Sequence, residues 1–432
     1  MKKCKLGEIA DFKTGPFGTQ FKASEYTSSG YPVINVKNIG IGNIIDNDID
    51  FISEETRARL SEHIIHEGDI VFARKGSVER HAYVRKEHNG WVQGSDCIKA
   101  RITDDTDPRY ISYFLHLDYV KQQLLNKAVG STMPSMNTDI LKDISIALPD
   151  KPEDGTTIAN FLDKISNKID NNQRIISTLE SLSKTLYDYY FLQFDFPDEK
   201  ARPYKSSGGK MEYNAELGRE IPAGWKVGRI SDLGEVVSGG TPSTQNEDYF
   251  TSEGIAWITP KDMSLLQGKW IFHGETDITK EGLKNSSAKL MPAGSVVYTT
   301  RAPIGYVAVA ANEVCTNQGF KSVSPNKDIG AEFVYYTLLS LGEHFKNIGN
   351  GSTFSEVSKE TFSNVPICMP PRDKLQSFAK VVNNLSQQQK NAQLENRHLT
   401  ALRDFLLPLL MNGQVGFKNP TSQNTKEAPY ES

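Results

Sequence analysis

GSTMPSMNTDILKDISIALP, Gly130–Pro149, returns further along the chain as GSTFSEVSKETFSNVPICMP, Gly351–Pro370, at a shift of 221 positions and without a gap. The identities are few: Gly-Ser-Thr at the start, then Ile146/Ile367 and Pro149/Pro370. The substitutions keep their chemical class, as in Met133/Phe354, Met136/Val357, Asp139/Glu360, Leu141/Phe362, Ile144/Val365 and Leu148/Met369. A real duplication produces further matches at nearly the same shift. GYPVINVKNI (Gly30–Ile39) aligns with GIAWITPKDM (Gly254–Met263) at 224, and GDIVFARKGS (Gly68–Ser77) with GSVVYTTRAP (Gly294–Pro303) at 226. Gln93-Gly94 meets Gln318-Gly319 at 225, and Leu6–Glu8 meets Leu233–Glu235 at 227. Five ordered matches with a shift that drifts only as small loop insertions allow make the chain a tandem duplication.

Within each copy, VINVKNI, DIVFARK, SVVYTTR and YVAVAA have the β-branched and aromatic content of strands, punctuated by Gly and Pro. Short helical stretches precede each Gly-Ser-Thr segment, at 107–125 and 331–348. The expectation is an α+β fold with two similar mixed α/β domains, 1–150 and 221–371. After each proline stop the period changes. Ile158, Leu162, Ile165, Ile169, Ile176, Leu179, Leu182, Leu186 and Tyr190 step mostly by three and four, as in a coiled-coil seam. Adding 220 to these positions reaches Leu385, Leu399, Leu402, Leu406 and Leu410, with polar Gln389 and Asn396 in the middle. Long helices are therefore expected over 151–192 and 372–411, each roughly 50 Å, with a linker at 193–220 and a disordered polar tail at 412–432.

Neither amphipathic helix can bury its stripe alone, so the two should pair. An antiparallel pair makes the chain a pseudo-twofold repeat, with two domains held apart by a coiled-coil spacer. A parallel pair, with both domains at one end, stays open at this level.

At 432 residues, 38% hydrophobic and 24% charged, the composition is that of a globular, multidomain chain. No run approaches the roughly 18 apolar residues of a membrane span, and MKKCKLGEIADF has no apolar region behind its lysines, so neither membrane nor secretory leader is expected. Four scattered cysteines suit a reducing, cytoplasmic setting. The net charge of −4 speaks against a polyanion partner only if charge is evenly spread; Phe72–His88 carries five Arg and Lys against two Glu. A search for chemistry finds nothing: no phosphate loop, no nucleophile elbow, no third ligand beside His63 and His66, no methyltransferase signature. Two similar readers at a fixed spacing suit a repetitive ligand, and double-stranded DNA is the obvious one.

The order of features then resembles a known family. Leu-Gly-Glu opens each domain, a Gly-Ser-Thr segment with ISIALP or VPICMPP closes it, and a long helix follows. The junction YDYYFLQFDFPDEKARPYKSSGGKMEYNAELGREIPAGWKVGRISDLGE, residues 187–235, is the most specific part. Together these resemble the DNA specificity subunit of type I restriction-modification systems. The resemblance implies that each domain is a target recognition domain reading half of a bipartite sequence. It implies that the helices set the spacer and dock two modification subunits, joined by restriction subunits. It also implies that S-adenosylmethionine, ATP and Mg belong to those partners, so this chain is not an enzyme and needs no cofactor or metal. A two-headed protein adaptor without nucleic acid, and a nuclease with scattered carboxylates, are the competing readings.

Base edges and phosphates are met by Arg, Lys, Gln, Asn, Ser and Thr. Positions shared by both copies suit shared tasks: Lys37 with Lys261, Lys75 (beside Arg74) with Arg301, Gln93 with Gln318, and Ser131-Thr132 with Ser352-Thr353. Gln93 and Gln318 serve equally well as strand-edge residues, and the Gly-Ser-Thr loops as simple turns. Copy-specific readers are expected in divergent loops, at Gln20 and Lys22 and at Gln245 and Asn246. The seam is assigned to Ile158, Leu162, Ile165, Ile169, Leu179, Leu385, Leu399, Leu402 and Leu406. The aromatic helix end, Tyr187, Tyr189, Tyr190 and Phe191, is expected in part to face a partner subunit.

Overall fold

The protein is described here by a computed structural model covering residues 1–130, 134–301, 303–350 and 356–417, with backbone only at 349 and 350. Ser131, Thr132, Ser352 and Thr353 lie outside the described residues, as does the tail from 418. The chain forms two compact units: Met1–Asn167 with the segment beginning at Leu399, and Lys168–His398.

Each unit is built on the same three sheets. In the first, a five-stranded sheet runs in the order Ala10–Thr14, Cys97–Ile102, Ile70–Ala73, His81–Tyr83, Ile41–Gly42. The second repeats it as Gly234–Ser238, Lys321–Pro325, Val296–Thr300, Ile304–Ala310, Trp270–Ile271. The middle strands read as unbroken buried runs, Ile-Val-Phe-Ala and Val-Val-Tyr-Thr-Thr, because both of their faces are covered. A four-stranded sheet recurs likewise, ending in the parallel pairs Tyr31–Ile34 with Val92–Gln93 and Ile255–Ile258 with Val314–Thr316. The opening duplication has its own structural signature. Asn137 accepts from Ile140 N (2.8 Å) to cap Thr138–Lys142, and Ser358 accepts from Thr361 N (3.0 Å) to cap Lys359–Ser363. The strands that follow, Ser145–Leu148 and Pro366–Met369, pair antiparallel with the strands that open each domain, Lys2–Lys5 and Lys226–Arg229.

One sequence pairing is corrected by register. Ile34 faces Gln93 across its parallel pair, and Ile258 faces Thr316. Gln93 is thus equivalent to Thr316, not to Gln318. The stretch 193–220, expected as a linker, is packed: Phe194 and Phe196 are buried, Phe196 stacks on Trp225 at 5.2 Å, and Met211–Asn214 pairs with Arg219–Pro222.

The long helices span Pro152–Tyr187, extended by a turn of π-helix to Leu192, and Arg372–Met411. Within the second unit they run antiparallel: Asn396 Nδ2 donates to Ile169 O (3.2 Å), Asn172 Nδ2 to Glu395 Oε2 (2.7 Å), and Gln389 Nε2 to Glu180 Oε2 (2.9 Å). Their shared face is not a continuous apolar seam. Ile158, Leu162 and Ile165 are buried in the first unit, but in the second Asn172, Ser183, Ser386, Gln389 and Gln393 are buried beside the apolar Ile176 and Val382. Ile169, Leu179, Leu385, Leu399 and Leu406 are half-buried. Leu402 is a correction: it is 45% exposed. The inward positions of that helix run through Gln389, Gln393, Asn396 and Leu407, and Leu402 falls on the far side of that track.

The helix ends explain the aromatic cluster. Tyr187, Tyr190 and Phe191 are buried in the second unit's core with Phe333, Leu375, Phe378 and Val382, and Tyr189 packs half-buried against them. The equivalents of Tyr187, Tyr190 and Phe191 at a shift of 220, Leu407, Leu410 and Met411, enter the first unit's core with Ile158, Ala159 and Leu162. Each domain core is completed by the end of the helix that follows the other domain. Tyr187, Tyr190 and Phe191 are consequently core residues and not a free surface for a partner.

Candidate nucleic-acid interface

In each domain four loops converge at one end of the five-stranded sheet. In the first, the backbone of Arg74 is held on both sides: its N–H donates to Asp96 O and its carbonyl accepts from Met136 N, each 2.8 Å. Gly76 N donates to Pro134 O (3.0 Å), and Lys75 forms a bridge with Ser135. In the second domain Thr300 N donates to Gly319 O (2.8 Å), Thr300 O accepts from Val357 N (3.1 Å), and Arg301 bridges to Glu356. Lys75 and Arg301 therefore occupy one position on a shared frame. Ser135 and Glu356, which make these bridges, stand at corresponding places of the two copies.

The fourth loop is set by a glycine. Gly15 N donates to Cys97 O (2.9 Å), and a Cβ there would meet Gly94 O at 1.9 Å. Gly239 stands in the same relation to Asn317 O, at 1.8 Å. Neither site accepts a side chain, so both loops are pressed flat against the strand end before turning out to solvent.

The side chains on this frame differ between copies. The first presents Arg74, whose guanidinium lies 5.6 Å from the Phe17 ring centroid, and Lys75, whose Nζ is 3.0 Å from Asp96. The second presents Arg301 at 3.8 Å from Glu356, which also receives Lys321 at 3.6 Å, and exposed Gln318, which accepts from Thr241 Oγ1. Lys37 and Lys261 share a second ledge, each on a helical turn closed by the residue after it: Asn35 N donates to Asn38 Oδ1 and Thr259 N to Asp262 Oδ2. Lys37 pairs with Asp48 (2.9 Å) and Asp50 (3.1 Å), Lys261 with Glu275 (2.5 Å). Hydrogen bonds to Asp48 and then Asp50 raise the Lys37 pKa, and the bond to Glu275 raises that of Lys261, so both are firmly cationic. Of Lys37, Arg74, Lys75, Lys261 and Arg301, only Arg74 has no carboxylate partner among the described residues. Exposed pairs of this kind contribute little, being screened by solvent and salt, so a phosphate oxygen can replace the carboxylate at little cost.

Gln93 does not belong to this surface. It is fully buried, with Nε2 donating to Lys13 O at 2.9 Å, which makes it a strand-edge residue. Gln20 and Lys22 are exposed on a neighbouring loop, where Arg59 donates to Gln20 O and Lys22 N donates to Glu25 Oε2 (2.7 Å). Gln245 is exposed; Asn246 is half-buried and spends its side-chain oxygen capping Glu247–Tyr249, accepting from Asp248 N at 3.1 Å. Sequence reasoning passed over Phe17, Asp96, Glu356 and Lys321. Phe17 had a signal, an aromatic residue flanked by Pro and Gly in a loop that differs between copies.

Among the described residues no group of three or more His, Cys, Asp or Glu is placed to hold a metal, and no helix is long and apolar enough to cross a membrane.

Comparison with known proteins agrees with this duplicated frame. A family model described as "Type I restriction modification DNA specificity domain" matches residues 1–181 and 222–396. The chain is 36% identical over 201 residues to the type I restriction enzyme MjaIX specificity subunit of Methanocaldococcus jannaschii, an alignment spanning 46% of each chain. It is 24% identical over 448 residues to the HindI specificity subunit of Haemophilus influenzae, covering 90% of this chain and 95% of that one. The crystal structure of a type I restriction-modification S subunit from M. genitalium superposes with a TM-score of 0.61 at 14% identity, over 95% of both chains, and so shares the fold. With the family match extending over both copies of the repeat, the chain belongs to the type I restriction-modification DNA specificity family.

Proposed function

We propose that each domain reads one half of a bipartite DNA target through its four converging loops, and that the two halves differ. The observation that carries this reading is one backbone frame bearing unlike side chains: Phe17, Arg74, Lys75 and Asp96 in one copy, Thr241, Arg301, Gln318 and Glu356 in the other. Identical readers would require a palindrome; a shared frame with different side chains suits an asymmetric sequence. Lysine and arginine supply phosphate contacts and bidentate readout of guanine, while freed carboxylates such as Asp96 and Glu356 can accept from cytosine N4.

On this reading the chain is a recognition subunit that performs no catalysis. Two modification subunits dock on the long helices and supply S-adenosylmethionine chemistry at adenine; restriction subunits supply the ATP- and Mg-dependent steps. The assembly works on cytoplasmic DNA. The test is binding of duplex DNA by the full chain assembled with its modification subunit, titrated with salt. Sequence-selective retention with a steep negative dependence on salt supports the reading. Partner binding that ignores salt, with no DNA retained, would make the chain a protein adaptor instead.

A further inference from the structure

Phe17 is a large apolar side chain left 59% exposed, and its setting is neither loose nor greasy. Gly15 and Pro16, immediately before it, are buried, and the Gly15 turn is pinned to Cys97 and Gly94 as described above. Immediately after it, Gly18 takes φ +63°, and Phe17 O accepts from Gln20 N at 3.3 Å. The ring therefore projects from a turn tied at both ends. Its companion is Arg74, which has no carboxylate partner among the described residues and whose backbone is also tied at both ends. The other neighbours along these loops, Gly18, Thr19, Gln20, Lys75 and Gly76, are exposed and polar or small. A protein-docking surface is a continuous apolar patch with depleted charge at its centre; here a single ring stands among cations. That is the composition of an apolar wedge entering a stack of bases between backbone contacts. The equivalent of Phe17 in the second domain is Thr241, whose hydroxyl is engaged by Gln318.

Building on the DNA-reading function, we propose that Phe17 inserts at a base step of the half-site read by the first domain, with Arg74 holding the ring and meeting the adjacent phosphate. The second domain reads its half-site without a wedge. One half of the target is thus selected partly for how readily a step unstacks, which adds specificity at bases no side chain hydrogen-bonds.

The test uses the full chain assembled with its modification subunit and duplexes carrying the methylated target. 2-Aminopurine is placed at each step of each half-site in turn. The proposal expects an unstacking signal at one step of one half-site, beyond any at the methylated adenines, in the native protein and in Phe17→Leu. Phe17→Ala loses that signal and binds roughly fivefold to a hundredfold more weakly, with an unchanged salt slope and an unchanged melting midpoint. Native affinity and an identical fluorescence profile in Phe17→Ala would overturn it. So would loss of assembly with the modification subunit at intact DNA affinity, which would assign the ring to a protein contact. If the native complex does not discriminate target from random duplex, the DNA reading itself fails, before the variant is compared.

Discussion

Lys75 and Arg301 sit at one position of a duplicated frame, each against a carboxylate, and on the proposed reading each exchanges that carboxylate for a DNA phosphate. Replacing either by alanine should weaken binding about equally to target and non-target duplex and reduce the magnitude of the slope of log K against log salt by roughly one. An unchanged slope would remove the residue from the interface. A second residue-scale consequence lies in the core beneath. His81 is wholly buried, its Nε2 3.0 Å from Ser112 O and its ring 4.9 Å from that of His116. Burial pushes its pKa down to about 4, with Lys121 adding to the effect and the Ser112 carbonyl opposing it. His116 is lowered too, by burial first and then by His81, Arg403 and Lys121. The unfolded chain protonates near the ordinary value of 6.5, so between pH 6.5 and 4 it binds more protons than the native state. Stability contributed by the neutral rings is complete above pH 6.5 and is lost as pH falls toward 4. His81→Gln keeps a donor toward Ser112 without titrating. It should flatten the fall in urea stability of the full chain across that window, by on the order of 3 kcal/mol at pH 4; an unaltered pH profile would place the acid sensitivity elsewhere.

The long helices carry consequences at the scale of elements. Phe191 lies in a ring cluster with Phe333 at 4.9 Å and Phe378 at 5.0 Å, so Phe191→Ala should destabilise the second unit by about 3–5 kcal/mol, read as a lowered denaturant midpoint. Loss of partner binding at native stability would restore the aromatic end as a docking surface. That end was misread from sequence for a physical reason. Periodicity says which residues of a helix turn inward, but not which globular core meets the helix end. The answer came from the repeat itself, because Tyr187 and Leu407 are equivalent and each is buried in the core of its own unit. The polar track through Gln389 and Asn396 was visible as a break in the apolar pattern. Its burial was not, since Gln389 becomes buriable only once Glu180 and Ile176 O stand opposite it. The duplication was legible because turns and caps such as Asn137 and Ser358 tolerate few residue types. The pairing of Gln93 with Gln318 failed because a local shift of 223 replaces 225 there, and only strand register reveals it. In the candidate site, the cationic positions could be read from sequence, whereas their carboxylate partners could not, since pairing depends on loops distant in the chain; Phe17 carried a signal, between Pro16 and Gly18, that says nothing of its exposure.

At the scale of the whole molecule, the chain is one frame written twice and completed crosswise, with each domain core closed by the helix that follows the other domain. Such a design keeps the scaffold constant while the loops diverge, which is what a DNA specificity subunit needs if its two halves read different sequences. The central claim is therefore about the target: two parts, unlike one another, both dependent on this chain. The most direct measurement is the adenine methylome of the source cell with and without the gene, repeated after Arg301→Ala with Gln318→Ala in the second domain. The account predicts a single asymmetric two-part motif that disappears on deletion and, in the double variant, loses or relaxes only the half assigned to the second domain. A methylome that does not change on deletion while the modification subunit is active, or a palindromic motif altered equally in both halves, would contradict it.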